Sequence, residues 1–248
     1  MSKRTDSNVY TLLFATGMVI VVGALLAFFA AALKPTINEN KRIEKQQNIL
    51  YAMGVHENDE TAAIFVSKDK VGAEFSNYIT KQLVIQGGEI SEDENAYLID
   101  VKKQQALAKE GVDRKLPLFV GEKDGKTYYI APIRGKGLWD AVWGYVAMDA
   151  NMVVQGAYFD HKGETAGLGA NITQRYFMDD FIGEHLLKDG DFKGIAISKS
   201  NNDPKNEDKY DNEVDAIAGA TITGDGVSAM IKTELKKYVA YFNTLKTN

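Results

Sequence analysis

An uncharged apolar segment near the N-terminus constrains the fold of this chain more than any other feature. Residues 9–33 read VYTLLFATGMVIVVGALLAFFAAAL, without a single charged side chain. As an α-helix this segment would be about 37 Å long, which is enough to cross a hydrocarbon core of roughly 30 Å. The sequence therefore predicts a transmembrane helix over residues 9–33, preceded by a short tail of residues 1–8.

A cleaved signal peptide is the alternative interpretation of the same segment. Lys3 and Arg4 precede it, and three alanines lie near its end. The apolar region of a signal peptide is only about 7–15 residues long, so the length of this segment favours a retained membrane anchor. Basic residues flank both ends, and the positive-inside rule therefore does not predict an orientation.

Composition excludes several classes of function. Acidic residues outnumber basic ones by 34 to 29, which gives a formal net charge of −5, and no basic cluster is present. Nucleic acid is therefore not an expected partner, because binding a phosphate backbone requires concentrated Lys and Arg. The absence of cysteine excludes disulfides, thiol catalysis and an iron–sulfur cluster held by this chain's own thiolates. The three histidines have no ligand spacing, so no metal site is predicted.

The region after the apolar segment is predicted to contain a polar helix and a variable domain. Lys34 and Pro35 close the predicted span, and residues 34–54 form a helix with sparse apolar positions, capped by Gly54. This helix is either a stalk above the membrane or a first helix packed on the domain. We interpret residues 55–115 as an α+β elaboration, with short apolar runs at 62–66 and 83–85.

The compact domain is predicted to span residues 116–248. Short β-like segments bounded by Gly- and Asp-rich turns occur at residues 118–120, 127–133, 141–148, 153–158 and 194–198. Two helices are predicted, over residues 173–188 and 226–245. Because strands and helices do not alternate regularly, the pattern predicts an α+β fold, following one N-terminal transmembrane helix.

The segment 215–226, DAIAGATITGDG, is the most informative part of the chain. Its small residues, including Gly219 and Ala220, leave the backbone open to close approach by a ligand. A helix beginning near Gly226 would place unpaired N–H groups and a positive dipole end beside the hydroxyl of Thr221, which suits a phosphate. The alternative is a tight turn in which Thr223 or Asp225 caps the helix.

The run AGATIT within this segment resembles the flavinylation motif of the FMN-binding domain family. That domain occurs in the C subunit of the sodium-translocating NADH:quinone oxidoreductase and in the G subunit of the related Rnf complex. The resemblance implies that Thr221 receives FMN through a phosphoester bond, from a dedicated flavin transferase, and that Asp215 is the leading acid of the motif. Gly219, Ala220 and Thr223 belong to the same motif. Ala218 is a departure, because the family usually has a hydroxyl there.

Two further segments resemble motifs of the same family, in the same order. Residues 134–139, RGKGLW, resemble its Gly-x-Gly-Leu-Trp turn, and residues 163–169, GETAGLG, resemble its Gly-Glu-Thr-Pro-Gly-Leu-Gly loop, with alanine in place of proline. Glycines beside Leu138 and Leu168 permit turns that present one apolar side chain each to a flat flavin ring, while Glu164 and Thr165 address its polar edge. The resemblance thus predicts these FMN-binding residues: Gly137, Leu138, Trp139, Glu164, Thr165, Leu168 and Gly169.

An alternative interpretation of these two segments is purely structural. Trp139 and Leu168 would then be ordinary core residues, and Glu164 a solvated loop acid.

Chain length and the Gly-Leu-Trp segment favour the sodium-pump member of the family over the Rnf member. The resemblance then implies an electron-carrying subunit with covalent FMN on the path from NADH to quinone, without a catalytic acid or base of its own. It is expected to contact other subunits, membrane lipid and, during maturation, the flavin transferase. A single-pass anchor would hold it in the cell inner membrane with its soluble domain on the outer, periplasmic side. The alternatives are a G-type Rnf subunit and a non-redox membrane-anchored assembly module.

Overall fold

One long helix forms the N-terminal part of the protein. The computed structural model describes residues 7–59, 62–200 and 203–246, and in it helix α1 spans Asn8–Ala52. The most apolar 18-residue window of α1 has a mean hydropathy of 2.6 and none of it is buried, so the helix is long and apolar enough to cross a membrane. The helix does not stop at Lys34 and Pro35 as predicted, since Pro35 lies inside it.

The C-terminal end of α1 belongs to the compact unit, which begins at Ile43. Six side chains of its last two turns are buried: Gln46, Asn48, Ile49, Leu50, Tyr51 and Ala52. This part is therefore a packed helix rather than a free stalk. The prediction that Gly54 caps it is confirmed: Gly54 has a φ of +79°, and the following Val55 N–H donates to the Leu50 carbonyl at 2.9 Å.

A six-stranded antiparallel sheet is the centre of the compact unit in the described part of the chain, with the order β2-β1-β3-β4-β5-β6. Its strands are β1 (Ile79–Gln86), β2 (Glu89–Glu92), β3 (Leu116–Lys123), β4 (Lys126–Lys136), β5 (Ala141–Met148) and β6 (Val154–His161). The four strands predicted between residues 118 and 158 are thereby confirmed. The α+β class is confirmed as well.

Short helices and short strand pairs complete the described fold. The helices are α2 (Val71–Tyr78), α3 (Val101–Lys109), α4 (Arg175–Asp179), α5 (Thr221–Leu235) and α6 (Val239–Leu245), with 3-10 turns at Ala96–Leu98, Gly169–Thr173 and Lys236–Tyr238. The antiparallel pair is β7 (Leu187–Lys188) with β8 (Asp191–Phe192), and the parallel pair is β9 (Ala196–Ile197) with β10 (Glu213–Val214).

Helix α5 packs closely on the sheet, and this contact positions the functional site. A methyl group added at Gly135 of β4 would lie 2.7 Å from the Cβ of Met230, so only glycine permits this approach. Near the end of α5, Arg114 forms a largely buried ion pair with Glu234 through two hydrogen bonds, at 2.7 and 3.2 Å. The hydroxyl of Tyr238, just beyond the helix, donates to the Pro117 carbonyl at 3.0 Å. The helix is therefore held against the sheet by both close packing and polar contacts.

Several sequence predictions of secondary structure are wrong. The helix predicted over residues 173–188 is only the five-residue α4. A turn follows it, in which Gly183 has a φ of +88°, and Phe177 and Phe181 are nevertheless buried. The strand predicted over residues 194–198 is reduced to the two residues of β9.

The last predicted helix, 226–245, begins five residues earlier and is interrupted by a 3-10 turn. The predicted start was placed at Gly226 because glycine is typical of a helix boundary, but Gly226 lies inside α5. An added methyl group there would collide with the Lys136 carbonyl oxygen.

Residues 55–115 contribute β1 and β2 to the same sheet, because β1 pairs with β3. The domain boundary predicted at residue 115 thus does not coincide with a division of the compact unit, which runs on from Ile43.

Candidate functional site

Thr221 is the first residue of helix α5 and its side chain is exposed. The N-cap is Ala220, which has no side-chain oxygen to accept a hydrogen bond from the first N–H groups of the helix. The alternative in which Thr223 or Asp225 caps the helix is wrong, since both lie within α5. The hydroxyl of Thr221 is therefore accessible at the positive end of a 15-residue helix.

The turn before Thr221 brings the AGATIT motif into contact with the loop of residues 163–169. Gly219 has a φ of +71°, a conformation that L side chains rarely adopt. A methyl group at Gly219 would also lie 2.8 Å from Cδ2 of Leu168, so the loop of residues 163–169 approaches the turn as closely as glycine allows. Leu168 is consequently placed beside the residues that lead into Thr221.

A small pocket lies on another side of the same turn. Strands β9 and β10 are parallel, and the chain leaving their carboxyl ends lines a pocket of 130 Å³ together with Thr221. The lining comprises Ile197, Ser198, Lys199 and residues 216–221. In sheets with parallel strands, ligands bind outside the carboxyl ends of the strands, often against a helix N-terminus. The pocket beside Thr221 likewise lies outside the carboxyl ends of two parallel strands, β9 and β10, and against the N-terminus of α5.

The buried carboxylate of Glu164 connects all three motifs. Its Oε2 accepts a hydrogen bond from the Thr223 hydroxyl at 2.5 Å, and its Oε1 accepts one from the backbone N–H of Trp139 at 2.9 Å. The residue is only 7% exposed, so the interpretation of Glu164 as a solvated loop acid is wrong. One carboxylate thus ties the Gly-Leu-Trp turn to the first turn of α5.

The hydrogen bonds of Glu164 keep it ionised. Burial by itself raises the pKa of this carboxyl. The Thr223 hydroxyl and the backbone N–H groups of Trp139, Asp140 and Leu138 outweigh burial, and the net effect is a pKa below the ordinary value. A fixed negative charge therefore lies inside the site.

Two glycines make room for this carboxylate. A methyl group at Gly137 would lie 2.6 Å from Oε1 of Glu164, and one at Gly169 would lie 2.7 Å from Oε2 and 2.5 Å from the Thr223 hydroxyl. Glycine is therefore required at both positions for the Glu164 contacts to form.

Large apolar side chains around Thr221 are exposed rather than buried. The exposed fractions are Trp139 67%, Ile222 59%, Leu138 42% and Leu168 41%. The interpretation of Trp139 and Leu168 as core residues is thus wrong. The indole Nε1–H of Trp139 donates to the Thr165 hydroxyl at 3.2 Å, which joins the two glycine loops at the surface. These four side chains leave apolar surface in contact with water.

Asp215 is placed apart from the Thr221 pocket. Its backbone N–H donates to a carboxylate oxygen of Asp180 at 2.7 Å, and its side chain lines a separate acidic pocket that includes Asp203. Burial, followed by the charges of Asp180 and Asp203, raises the pKa of Asp215. The structure thus places Asp215 in a different pocket from Thr221.

Sequence reasoning did not identify Ile222 or Lys199 as site residues. Ile222 follows Thr221 directly, so its exposure could have been expected once the helix was known to begin at Thr221. Lys199 follows β9 by two residues, and nothing in its local sequence distinguishes it from other surface lysines.

Comparisons with known proteins agree with this geometry. The sequence profile of the FMN-binding domain family matches residues 137–236, which include the contacts of Glu164 and the start of α5. Among curated relatives, the C subunit of the Na(+)-translocating NADH-quinone reductase of Pseudomonas aeruginosa is 32% identical, over 94% of this chain and 93% of the relative. The corresponding protein of Haemophilus ducreyi is 30% identical, over 92% and 89%.

Solved structures show the same similarity. The crystal structure of the C subunit of the Na(+)-translocating NADH-quinone reductase from Parabacteroides distasonis has a TM-score of 0.71 at 32% identity, covering 85% of this chain and 96% of that one. Shewanella oneidensis NqrC has a TM-score of 0.66 at 25% identity, covering 84% and 99%. With this similarity over nearly the whole length of both chains, the protein belongs to the family of the C subunit of the Na(+)-translocating NADH-quinone reductase and carries an FMN-binding domain.

Proposed function

We propose that the protein is an electron-carrying subunit of this membrane complex and holds FMN as a phosphoester of Thr221. The observation that carries the proposal is the exposed Thr221 hydroxyl at the start of α5, with exposed apolar side chains around it. When bound, FMN supplies reversible electron transfer, and the protein supplies its attachment and orientation.

The residues around Thr221 fit the two chemically different parts of FMN. The pocket of 130 Å³ beside Thr221 offers backbone groups and a lysine to a phosphate. The flat apolar ring matches the surface of Leu138, Trp139 and Leu168, which would otherwise remain in contact with water. An exposed hydroxyl, a polar pocket and an apolar surface therefore occur together.

Glu164 has a positioning role in this proposal rather than a direct contact with the polar edge of the ring. Both of its oxygens are already occupied within the protein, by the Thr223 hydroxyl and the Trp139 N–H. Its contribution is to hold the apolar turn and the acceptor helix in one fixed arrangement. In the AGATIT motif, the hydroxyl of Thr223 thus stabilises the fold of the site, and the hydroxyl of Thr221 is the attachment point.

Attachment is a phosphoryl transfer without any redox change. A bond forms between Thr221 Oγ and the phosphorus of an FMN group that a flavin transferase delivers from a phosphoanhydride donor. The P–O bond of the anhydride breaks, and the remaining phosphate of the donor leaves with its electron pair. The proton of the Thr221 hydroxyl passes to a base of the transferase or to water.

A covalent bond suits the proposed location of the domain. We place the domain on the outer side of the cell inner membrane, held by α1 as a single-pass anchor that also contacts lipid and partner helices. Free FMN is scarce there, and a reversible site would empty because occupancy follows the ratio of ligand concentration to dissociation constant. A covalent bond between FMN and Thr221 makes occupancy of the site independent of that ratio.

Intact-protein mass spectrometry tests the proposal. Co-expression of the full chain with a flavin transferase is expected to add the mass of FMN less water, and a peptide map to locate it on Thr221. Thr221→Val is expected to abolish the addition, while Thr221→Ser, which keeps a hydroxyl, retains it. An unmodified wild-type chain, in a host whose transferase modifies another acceptor, would contradict the proposal and leave a membrane-anchored assembly module.

A further inference from the structure

Lys199 lines the same pocket as Thr221, although it is far from Thr221 in the sequence. Its position is set by β9: the Ile197 N–H donates to the Ser228 hydroxyl at 2.9 Å, and that hydroxyl donates to the Gly224 carbonyl at 2.9 Å. The end of β9 is therefore fastened to the first turns of α5. The residues that follow Ile197 leave the strand directly at the pocket next to Thr221.

An ion pair keeps the ammonium group of Lys199 near the start of α5. Its Nζ lies 3.1 Å from a carboxylate oxygen of Asp225. Thr221 and Asp225 are four residues apart in the helix, so their side chains lie on the same face, one turn from each other. The positive charge is thus held one helical turn from the acceptor hydroxyl.

The pocket that Lys199 and Thr221 both line is small. Its volume is 130 Å³. Among the described residues that line it, Lys199 alone carries a charge. A phosphoester on Thr221 would add a negative charge close to Asp225, and Lys199 is the cation placed to offset the repulsion between them.

We propose that Lys199 binds the phosphate during flavin attachment to Thr221 and afterwards neutralises the phosphoester. This inference rests on the proposed function. The ion pair with Asp225 is exposed, with two thirds of the Lys199 side chain accessible, and exposed pairs are weak. Lys199 can therefore shift toward a phosphate oxygen while Asp225 still limits how far it moves.

The test compares the rate of flavinylation between charge variants of the full chain in detergent. Purified transferase and its flavin donor are supplied, and flavin fluorescence on the protein gives the initial rate. Lys199→Gln is expected to slow the reaction about tenfold, since a hydrogen bond to a charged group is worth at least about 1.5 kcal/mol. Lys199→Arg should restore most of the rate. Lys193→Gln is the matched control, because Lys193 also forms an exposed ion pair, with Asp191 at 3.5 Å.

A second measurement places the effect at the phosphate. In fully flavinylated protein, the ³¹P resonance of the phosphoester is expected to shift in Lys199→Gln and to stay unchanged in Lys193→Gln. A slower reaction without a ³¹P shift would assign Lys199 to docking of the transferase and overturn the inference. Equal rates for Lys199→Gln and Lys193→Gln would overturn it too, with the proposed function intact. A wild-type chain that is never modified at Thr221 would instead refute the proposed function itself.

Discussion

The hydrogen bond between Thr223 and Glu164 leads to a quantitative prediction about stability. Thr223→Val removes the hydroxyl and keeps the shape of the side chain, which is 1% exposed. The carboxylate of Glu164 then loses the donor that lies 2.5 Å from its Oε2. No water can readily replace that donor, because Glu164 is itself only 7% exposed.

The expected cost follows from the charge on the acceptor. Hydrogen bonds to ionised groups contribute about 1.5–3 kcal/mol, and an unsatisfied buried charge costs at least as much. Thr223→Val is therefore expected to lower the free energy of unfolding by about 2 kcal/mol. In a double-mutant cycle with Glu164→Gln, most of that loss should appear as coupling energy, because both substitutions remove the same charge-assisted contact.

Unfolding of the full chain by urea in detergent, followed by tryptophan fluorescence, measures this effect. Thr233→Val provides the matched control. Thr233 lies in the same helix, and its hydroxyl donates to the Ala229 carbonyl within that helix at the surface, so its loss should change stability by no more than about 0.5 kcal/mol. Equal stabilities of the Thr223 and Thr233 variants would refute the argument that Glu164 depends on this donor. Amide exchange gives a local check, since the Trp139 N–H should exchange faster only in the Thr223 variant.

Two further predictions concern pH and close packing. Glu184 is fully buried, and burial, only partly offset by the Lys209 ammonium 3.4 Å away, raises its pKa from 4.5 to about 7. Because the folded value lies above the unfolded one, its stabilising contribution is complete below about pH 4.5 and is lost as pH rises through 7. Relative to Glu184→Gln, the wild type should thus lose up to about 3 kcal/mol of unfolding free energy between about pH 4.5 and 8, and parallel pH profiles would contradict this. Gly226→Ala should destabilise the protein by more than about 2 kcal/mol in thermal unfolding, since the added methyl group meets the Lys136 carbonyl oxygen. Gly72→Ala in α2, which has open space around it, is the control and should be neutral or stabilising. Equal melting temperatures for the two variants would contradict the prediction, because they would show that α5 can move away from the turn.

The regular elements of the sheet were predictable because their patterns are local. Strand β5 has the bounds expected from its apolar β-like run and its flanking turns, Ala141–Met148. The helix expected over residues 173–188 was not predictable in the same way. Its apolar residues recur at helical spacing, yet Phe177 and Phe181 reach the core from a five-residue helix and a turn. The periodic pattern predicted that these side chains would be buried by a longer helix, whereas tertiary contacts bury them without one.

Within the candidate site, several of the residues predicted from sequence come together in the fold, but some of them have surroundings other than those expected. Glu164 was expected to face the ring, and it is instead buried between two motifs. A carboxylate in a glycine-rich loop has the same local sequence whether it faces solvent or accepts hydrogen bonds from a distant helix. Only the fold brings Thr223 within 2.5 Å of it.

What the sequence alone determined about this protein is its chemistry: an uncharged segment long enough to span a membrane, no thiol for a metal centre, and a hydroxyl at Thr221 among small residues. These properties depend on side-chain composition and on neighbours along the chain. What only the tertiary structure decided is which distant residues meet at Thr221. Lys199 follows one of a pair of two-residue strands into the pocket beside Thr221. Trp139 is connected through Glu164 to Thr223, two residues further along α5. Such contacts result from the packing of α5 against the sheet, which no local pattern encodes.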